Sequence, residues 1–192
     1  GFMMLCPATG YAGHTIITKF DDHPGYDIAR INLAQHALVN GVDYMFWLDS
    51  DTLVPPDTII RLLELGEPVC AALYATRRND LAIVAHPPKK PVEDRYPLVS
   101  VRATGMGSVL VAREVYEKII DNAPPLIDVD ERGHYETVRF EEGDVRNFYR
   151  TVNLSDRTII SEDTWFFNLI REHTPYRVVV DQPLFVPAPV LL

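Results

Sequence analysis

The sequence predicts an α/β fold with a mostly parallel central sheet. Short apolar runs bounded by glycine or proline alternate with longer segments in which apolar residues recur at helical spacing. Runs that are apolar at every position are typical of strands covered by helices on both faces, and such strands are mostly parallel. The chain has 192 residues, of which 47% are hydrophobic, so it is long enough to bury one sizeable core. We therefore expect a single α/β/α domain over residues 1–192.

The predicted elements are marked by their boundaries as well as by their apolar patterns. The helix that begins at Tyr26 stops at Asn40-Gly41, a common kind of helix C-terminus. The apolar run Tyr44–Leu48 is followed by Pro55-Pro56, and proline suits the first turn of a helix. In chain order we predict a strand over 2–6, a helix over 26–40, a strand over 44–48, a helix over 56–65, strands over 69–74, 98–102 and 108–112, helices over 113–122 and 161–172, a strand over 177–180 and a proline-rich tail over 181–192.

Composition excludes several classes of partner. The formal net charge is −9, which argues against binding a nucleic-acid backbone or an anionic membrane surface, because both require a basic patch. No apolar run approaches the ~20 residues that a membrane span needs. The two cysteines do not indicate a disulfide scaffold. The expected setting is therefore cytoplasmic, with no nucleic acid and no membrane span.

The first candidate site is the sequence Asp49-Ser50-Asp51, directly after the strand Tyr44–Leu48. In open α/β sheets, ligands bind outside the carboxyl ends of the strands. Two carboxylates so close together repel each other, and a chain tolerates that in water or around a cation. One interpretation is a solvated turn in which Asp51 or Asp57 caps the next helix. The buried strand before the pair favours the other interpretation, a metal or phosphate site.

Two further loops are predicted near the same edge of the sheet. Gly105 and Gly107 form a G-x-G turn whose lack of side chains lets the backbone approach a ligand, although the full dinucleotide fingerprint is missing. Arg77 follows the strand over 69–74 and either places a guanidinium near the aspartates or belongs to an exposed loop. Thr9 lies at the predicted end of the first strand.

A second carboxylate pair, Glu162 and Asp163, opens the helix over 161–172. Ser161 can cap this helix, and carboxylates in a first turn are stabilised by the helix dipole, so a structural role is one interpretation. The functional interpretation is a general base that takes a proton from an attacking hydroxyl across a cleft from Asp49 and Asp51.

In combination, these features resemble a known family. The strand ending in Asp49-Ser50-Asp51, the Thr104–Gly107 turn, the helix opened by Ser161-Glu162-Asp163 and the run Arg177–Asp181 occur in the order typical of GT-A glycosyltransferases. The chain is most similar to the large inverting family 2, over roughly residues 26–186. The resemblance implies a GT-A type, Rossmann-like domain that moves one sugar, with inversion, from a nucleotide-diphosphate sugar to a hydroxyl of a glycan or small acceptor.

The resemblance also assigns roles to individual residues. It implies Mn²⁺ or Mg²⁺ held by Asp51 directly, with Asp49 contacting the ribose or a metal-bound water; oxygen ligands suit these cations. Asp163 would be the base, with Glu162 as its neighbour or an acceptor contact. The donor, with a UDP-sugar favoured, would be bordered by the remaining predicted residues: Thr9, Ser50, Arg77, Gly105 and Gly107.

The chain departs from the family pattern at three places. A histidine that completes the metal site in many relatives is missing, since Phe185-Val186-Pro187-Ala188 stands there. The region before Tyr26 looks short or incomplete for two β-α units. No Q-x-x-R-W pattern is present, which argues against a processive synthase.

Two other functions compete with the transferase. In a haloacid-dehalogenase-like phosphatase, Asp49 would attack phosphorus and Asp51 would be the acid/base. A noncatalytic module that binds a nucleotide sugar or a glycan is the alternative from a different class.

Overall fold

A computed structural model of the chain describes residues 9–10, 12–22, 25–74, 84–90, 92, 94, 96–123, 128–129, 135–136, 139–140, 143–144, 148–153 and 159–186. Residues 9–10 are helical, and the longer helices within the described residues are α1 (Tyr26–Val39), α2 (Thr58–Glu64), α3 (Arg113–Asn122) and α4 (Glu162–His173). The central sheet contains β1 (Tyr44–Leu48), β2 (Val69–Tyr74), β4 (Leu98–Val101), β6 (Ser108–Ala112) and β13 (Val178–Val186). Short antiparallel ladders join β3 (Ala85–His86) to β5 (Ala103–Thr104), β7 (Asp128–Val129) to β8 (Tyr135–Glu136), β9 (Arg139–Phe140) to β10 (Gly143–Asp144), and β11 (Val152–Asn153) to β12 (Ile159–Ile160).

The fold is mixed α/β, as predicted, but a mostly parallel sheet is not confirmed for these strands. The strand order is β1-β6-β2-β13-β4, and only the β2–β13 pairing is parallel among the pairings described within this sheet. The apolar pattern indicates that a strand is buried on both faces, and it carries no information about the direction of its neighbour. Because β6 runs antiparallel to both β1 and β2, those two strands point the same way, and so does β13. Their carboxyl ends therefore lie at one edge of the sheet, where β6 begins.

The core occupies both faces of this sheet, because successive strand residues point to opposite sides. In β1, Met45 and Trp47 pack in the cluster that also contains buried residues of α1, α3 and α4, whereas Phe46 and Leu48 pack against the cluster that contains Leu62 of α2. Helices thus cover both faces. Every helix in the described part of the chain is too short or too polar to cross a membrane.

Most predicted boundaries agree with the structure, and the C-terminal strand is the main correction. The tail predicted from Asp181 onward is wrong as far as Val186, because β13 continues to that residue. Its register against β2 shifts between Asp181 and Phe185, around Pro183, and such an irregularity is how a strand accommodates proline. Asp181 is buried and pairs with Arg61 of α2 at 2.9 Å between Nη2 and Oδ2. The predicted strand over 2–6 lies outside the described residues.

A hydrogen-bonded aromatic group lies at the centre of the larger cluster. The indole N–H of Trp47 donates to the hydroxyl of Tyr116 at 2.9 Å, and the hydroxyls of Tyr116 and Tyr149 are 2.7 Å apart. The ring of Phe166 stacks on both tyrosine rings. These contacts fix α4 and the end of β1 relative to α3.

We expect Tyr116→Phe to lower the free energy of unfolding by about 1–3 kcal/mol, because it leaves the buried indole N–H of Trp47 and the hydroxyl of Tyr149 without this partner. Urea denaturation measures the effect. Tyr44→Phe, at a half-exposed position of β1, is the control and should change stability by less than about 0.5 kcal/mol. Equal losses in the two variants would show that the hydroxyl network contributes no net stability.

Candidate functional site

Three acidic residues from two distant parts of the chain meet around one buried arginine, Arg30 of α1. The Nη2 atom of Arg30 lies 3.2 Å from Oδ1 of Asp49 and 3.4 Å from Oδ1 of Asp163, and its Nε lies 3.6 Å from Oε1 of Glu162. Arg30 is 8% exposed, and its guanidinium lies 5.9 Å from the centre of the Trp47 ring, within cation–π range. We call Arg30, Asp49, Glu162 and Asp163 the carboxylate cluster.

The predicted G-x-G turn lies between the two acidic segments. The backbone N–H of Asp49 donates to the carbonyl of Gly107 at 3.4 Å, which extends the β1–β6 ladder beyond Leu48. The N–H of Met106 donates to Oδ2 of Asp163 at 3.3 Å. The turn therefore holds the start of α4 beside the end of β1, and both predicted acidic segments lie at one edge of the sheet.

The start of α4 has the cap that the sequence predicts. The hydroxyl of Ser161 accepts a hydrogen bond from the N–H of Thr164 at 3.3 Å. The cap begins the helix at Glu162, so Glu162 and Asp163 occupy its first turn, where the helix dipole favours negative charge. Glu162 and Asp163 therefore stand where carboxylates stabilise a helix start, and the same cap also places both of them at the site.

Burial and neighbouring charges shift the pKa of two carboxyl groups in the cluster. Loss of hydration raises the pKa of Asp163 to about 7, against the opposing charge of Arg30 and with a further contribution from Glu162. Burial likewise raises the pKa of Asp49; Arg30 opposes the shift, and Asp51 and Glu162 add to it. Burial is the largest cause of both shifts, and the single guanidinium offsets it only in part.

The two oxygens of Asp163 differ in their contacts. Oδ2 accepts a hydrogen bond from the N–H of Met106, whereas Oδ1 is buried and accepts no hydrogen bond from the described residues, although Arg30 lies within ion-pair distance. A buried acceptor without a donor is uncommon in proteins and is costly to maintain. The ion pair with Arg30 is the contact that offsets this cost.

The carboxylates of Asp49 and Asp51 have the chemistry that a hard divalent cation requires. The Asp49 side chain is 42% exposed and Asp51 is exposed, so a cation has access to both. The two carboxylates are two residues apart in the chain, and the charge of Asp51 adds to the raised pKa of Asp49. Within the described residues, no group of three or more His, Cys, Asp and Glu side chains is arranged to hold a metal. Two carboxylates therefore fit a cation that completes its shell with water and ligand phosphates, as Mg²⁺ commonly does.

The remaining predicted residues are placed as follows. Ser50 lies in the exposed turn between the aspartates, and Gly105 and Gly107 are buried in the turn beside them. Thr9 is 2% exposed, and its carbonyl accepts hydrogen bonds from the N–H groups of Ala12 and His14. Arg77 lies outside the described residues. For these residues, a role in donor binding stays a prediction.

The residue that sequence reasoning missed is Arg30. It is one of the buried residues of α1, with Ile31 and Ala34, and Ala34, four positions further on, is its neighbour on the helix surface. An arginine on the apolar face of an amphipathic helix is unusual, because a buried guanidinium needs a carboxylate partner. That irregularity in the apolar pattern was the available signal.

Comparisons with known proteins leave the family open. No protein-family model and no curated protein sequence matches the chain. Among solved structures, the chain is similar to the crystal structure of A197 from STIV, with 16% identity and a TM-score of 0.48, over 92% of this chain and 73% of that chain. A similarity of this degree assigns neither a family nor an activity. The functional argument therefore rests on the residues of the site.

Proposed function

We propose that the chain is a metal-dependent glycosyltransferase that moves one sugar from a nucleotide-diphosphate sugar, preferably a UDP-sugar, to a hydroxyl of a glycan or other acceptor, with inversion. The observation that carries this proposal is Asp163: a partly buried carboxylate with a pKa of about 7 and one oxygen that accepts no hydrogen bond from the described residues. The same atom of Arg30, Nη2, lies 3.4 Å from Asp163 and 3.2 Å from Asp49, and the second aspartate, Asp51, is exposed.

In this proposal, Asp163 is the general base. A base is most effective when its pKa is near the working pH, because it is then both sufficiently ionised and sufficiently basic. Arg30 holds the ionised form in place, and the N–H of Met106 fixes the orientation of Oδ2. The carboxylate then takes the proton of the acceptor hydroxyl as the new bond to the sugar forms and the bond from the sugar to the diphosphate breaks.

The donor side of the proposal uses Asp49 and Asp51. These carboxylates would hold Mn²⁺ or Mg²⁺, which supplies charge stabilisation for the diphosphate leaving group. The G-x-G turn would border the donor sugar, since its backbone lies against Asp49 at the edge of the sheet. The strands β1, β2 and β13, which point the same way between two helical layers, support the finer proposal of a GT-A type domain.

The test is a thermal-melt panel of nucleoside diphosphates and nucleotide sugars, each with and without Mn²⁺. A ligand that binds the folded state raises the melting temperature according to its occupancy. At ~100 times the dissociation constant, we expect UDP or a UDP-sugar with Mn²⁺ to raise it by about 5 °C or more in a chain of this length, and by much less without the cation.

The variant Asp51→Asn should remove most of this cation-dependent shift, because it deletes a carboxylate that would bind the metal. Asp57→Asn is the matched control: it makes the same change at an exposed position in the same loop, and its side chain makes no capping hydrogen bond to α2. We expect the control to keep the full shift. A Mn²⁺-dependent shift that survives in Asp51→Asn would contradict the metal assignment.

The other outcomes of the panel separate the competing functions. No shift with any nucleotide, but a shift with a phosphate analogue and Mg²⁺, would favour the phosphatase. A donor that raises the melting temperature in the panel, but is not turned over with any acceptor in a separate activity assay, would favour the binding module.

A further inference from the structure

An open cavity of about 540 Å³ lies beside β4 and β13, and it shares no described lining residue with the carboxylate cluster. Its volume is in the range of small-molecule sites. The apolar side chains that line it on the sheet are Leu73, Val99, Val101 and Val180, which all pack toward the larger core cluster. Lining residues from the opposite segment include Pro87, Pro88 and Val92.

The segment over the cavity is held in place by backbone contacts. β3 pairs with β5, the N–H of Arg102 donates to the carbonyl of His86 at 2.7 Å, and the hydroxyl of Thr104 donates to the carbonyl of Val84 at 2.5 Å. These bonds anchor the start of the segment that carries the prolines. The start of the segment that lines the cavity is therefore fixed relative to β5.

Two lysines and one carboxylate carry the charges at the cavity, so its net charge is positive. Lys89 and Lys90 both line it and are exposed, and neither ammonium forms an ion pair with any residue that the structure describes. The carboxylate is that of Asp94, whose Oδ1 accepts a hydrogen bond from the N–H of Ser100 at 2.8 Å. Two neighbouring free cations are unexpected in a chain with a net charge of −9. This local charge is complementary to an anion.

We propose that this cavity is a second ligand site, which binds a small organic anion with an apolar body. The valine and leucine side chains bury the apolar part, and Lys89 and Lys90 bind a phosphate or carboxylate at the mouth. A charge-assisted contact from two ammonium groups favours an anionic ligand over a neutral one of the same shape.

Hexyl phosphate is a suitable probe, compared with hexanol and with inorganic phosphate. Titration is followed by backbone amide chemical shifts in the full chain, without metal. We expect hexyl phosphate to shift the amides of Val99, Val101 and Gln182 in a saturable way. Hexanol and inorganic phosphate should each bind at least about tenfold more weakly than hexyl phosphate, because hexanol lacks the charge and phosphate lacks the apolar part.

The double variant Lys89→Gln/Lys90→Gln should weaken hexyl phosphate binding by about tenfold. The matched control is Lys19→Gln/Lys118→Gln, which removes two exposed lysines that do not line the cavity. Its affinity for hexyl phosphate should be within about twofold of that of the parent chain, because salt screens the charge of distant lysines. Equal binding by both double variants, or saturable shifts confined to residues outside the cavity, would overturn the proposal. The result is independent of the transferase, because no nucleotide or acceptor is present.

Discussion

Replacing Asp163 with asparagine is expected to lower sugar transfer by about 10²–10⁴-fold, the usual contribution of a positioned general base. Asparagine has nearly the same shape and keeps an acceptor for the N–H of Met106, but it cannot take a proton from the acceptor hydroxyl. Binding of the donor with Mn²⁺ should be retained, because the predicted metal ligands are Asp49 and Asp51. Turnover numbers and the donor-induced melting shift, measured on the same preparation, separate these two effects.

The control for this variant is Asp121→Asn, which makes the same change at an exposed position of α3. It should leave turnover unchanged. Full activity in Asp163→Asn would remove Asp163 from the mechanism. Loss of donor binding together with activity would instead show that the substitution disrupts the carboxylate cluster as a whole.

The pKa of Asp163 adds a pH dependence of known sign. Because the pKa is raised to about 7, the carboxylate is protonated in acid, and kcat/KM should fall about tenfold per pH unit below that value. For folding, the native state binds this proton more tightly than the unfolded chain. This group therefore contributes stability that is fully present below the ordinary aspartate pKa and is lost as pH rises through about 7. Urea denaturation between pH 5 and pH 8 should show this loss in the parent chain and not in Asp163→Asn.

Arg30→Met is expected to lower the free energy of unfolding by about 1–3 kcal/mol at pH 8, because it leaves three partly buried carboxylates without their cation. Methionine is a flexible side chain that can still pack on the Trp47 ring, so the loss reports mainly on the charge of Arg30, including its cation–π contact. At pH 5, the loss should be smaller, since Asp163 is then protonated and needs the guanidinium less. Urea denaturation at the two pH values measures both quantities.

Two comparison variants make this test specific. Arg171→Met removes an exposed arginine of α4 whose described contacts are with Asn168 and Glu172, and it should cost less than about 0.5 kcal/mol. Arg30→Lys should be intermediate, because an ammonium keeps the charge but cannot contact several carboxylates with a planar fork. A loss in Arg30→Met that is the same at pH 5 and pH 8 would show that packing, and not charge balance, explains the role of Arg30.

Local signals were sufficient to predict the elements that carry the candidate site. The strand β1 and helix α3 occur at their predicted bounds, because an apolar run and an amphipathic repeat are properties of adjacent residues. The cap at Ser161 places the start of α4 for the same reason. The direction of each strand relative to its neighbours could not be predicted from such local signals. The antiparallel insertion of β6 between β1 and β2 depends on long-range pairing, and so does the extension of β13 past Pro183, which pairs with β2.

The sequence by itself determined which carboxylates stand at strand and helix ends: Asp49 and Asp51 after β1, and Glu162 and Asp163 at the start of α4. Only the tertiary structure decided that these segments meet, that Arg30 lies between them, and that the pKa of Asp163 rises to about 7. The physical reason is the range of the forces. Capping and strand burial depend on neighbours along the chain, whereas desolvation and charge interactions depend on distances of a few ångströms between residues far apart in sequence.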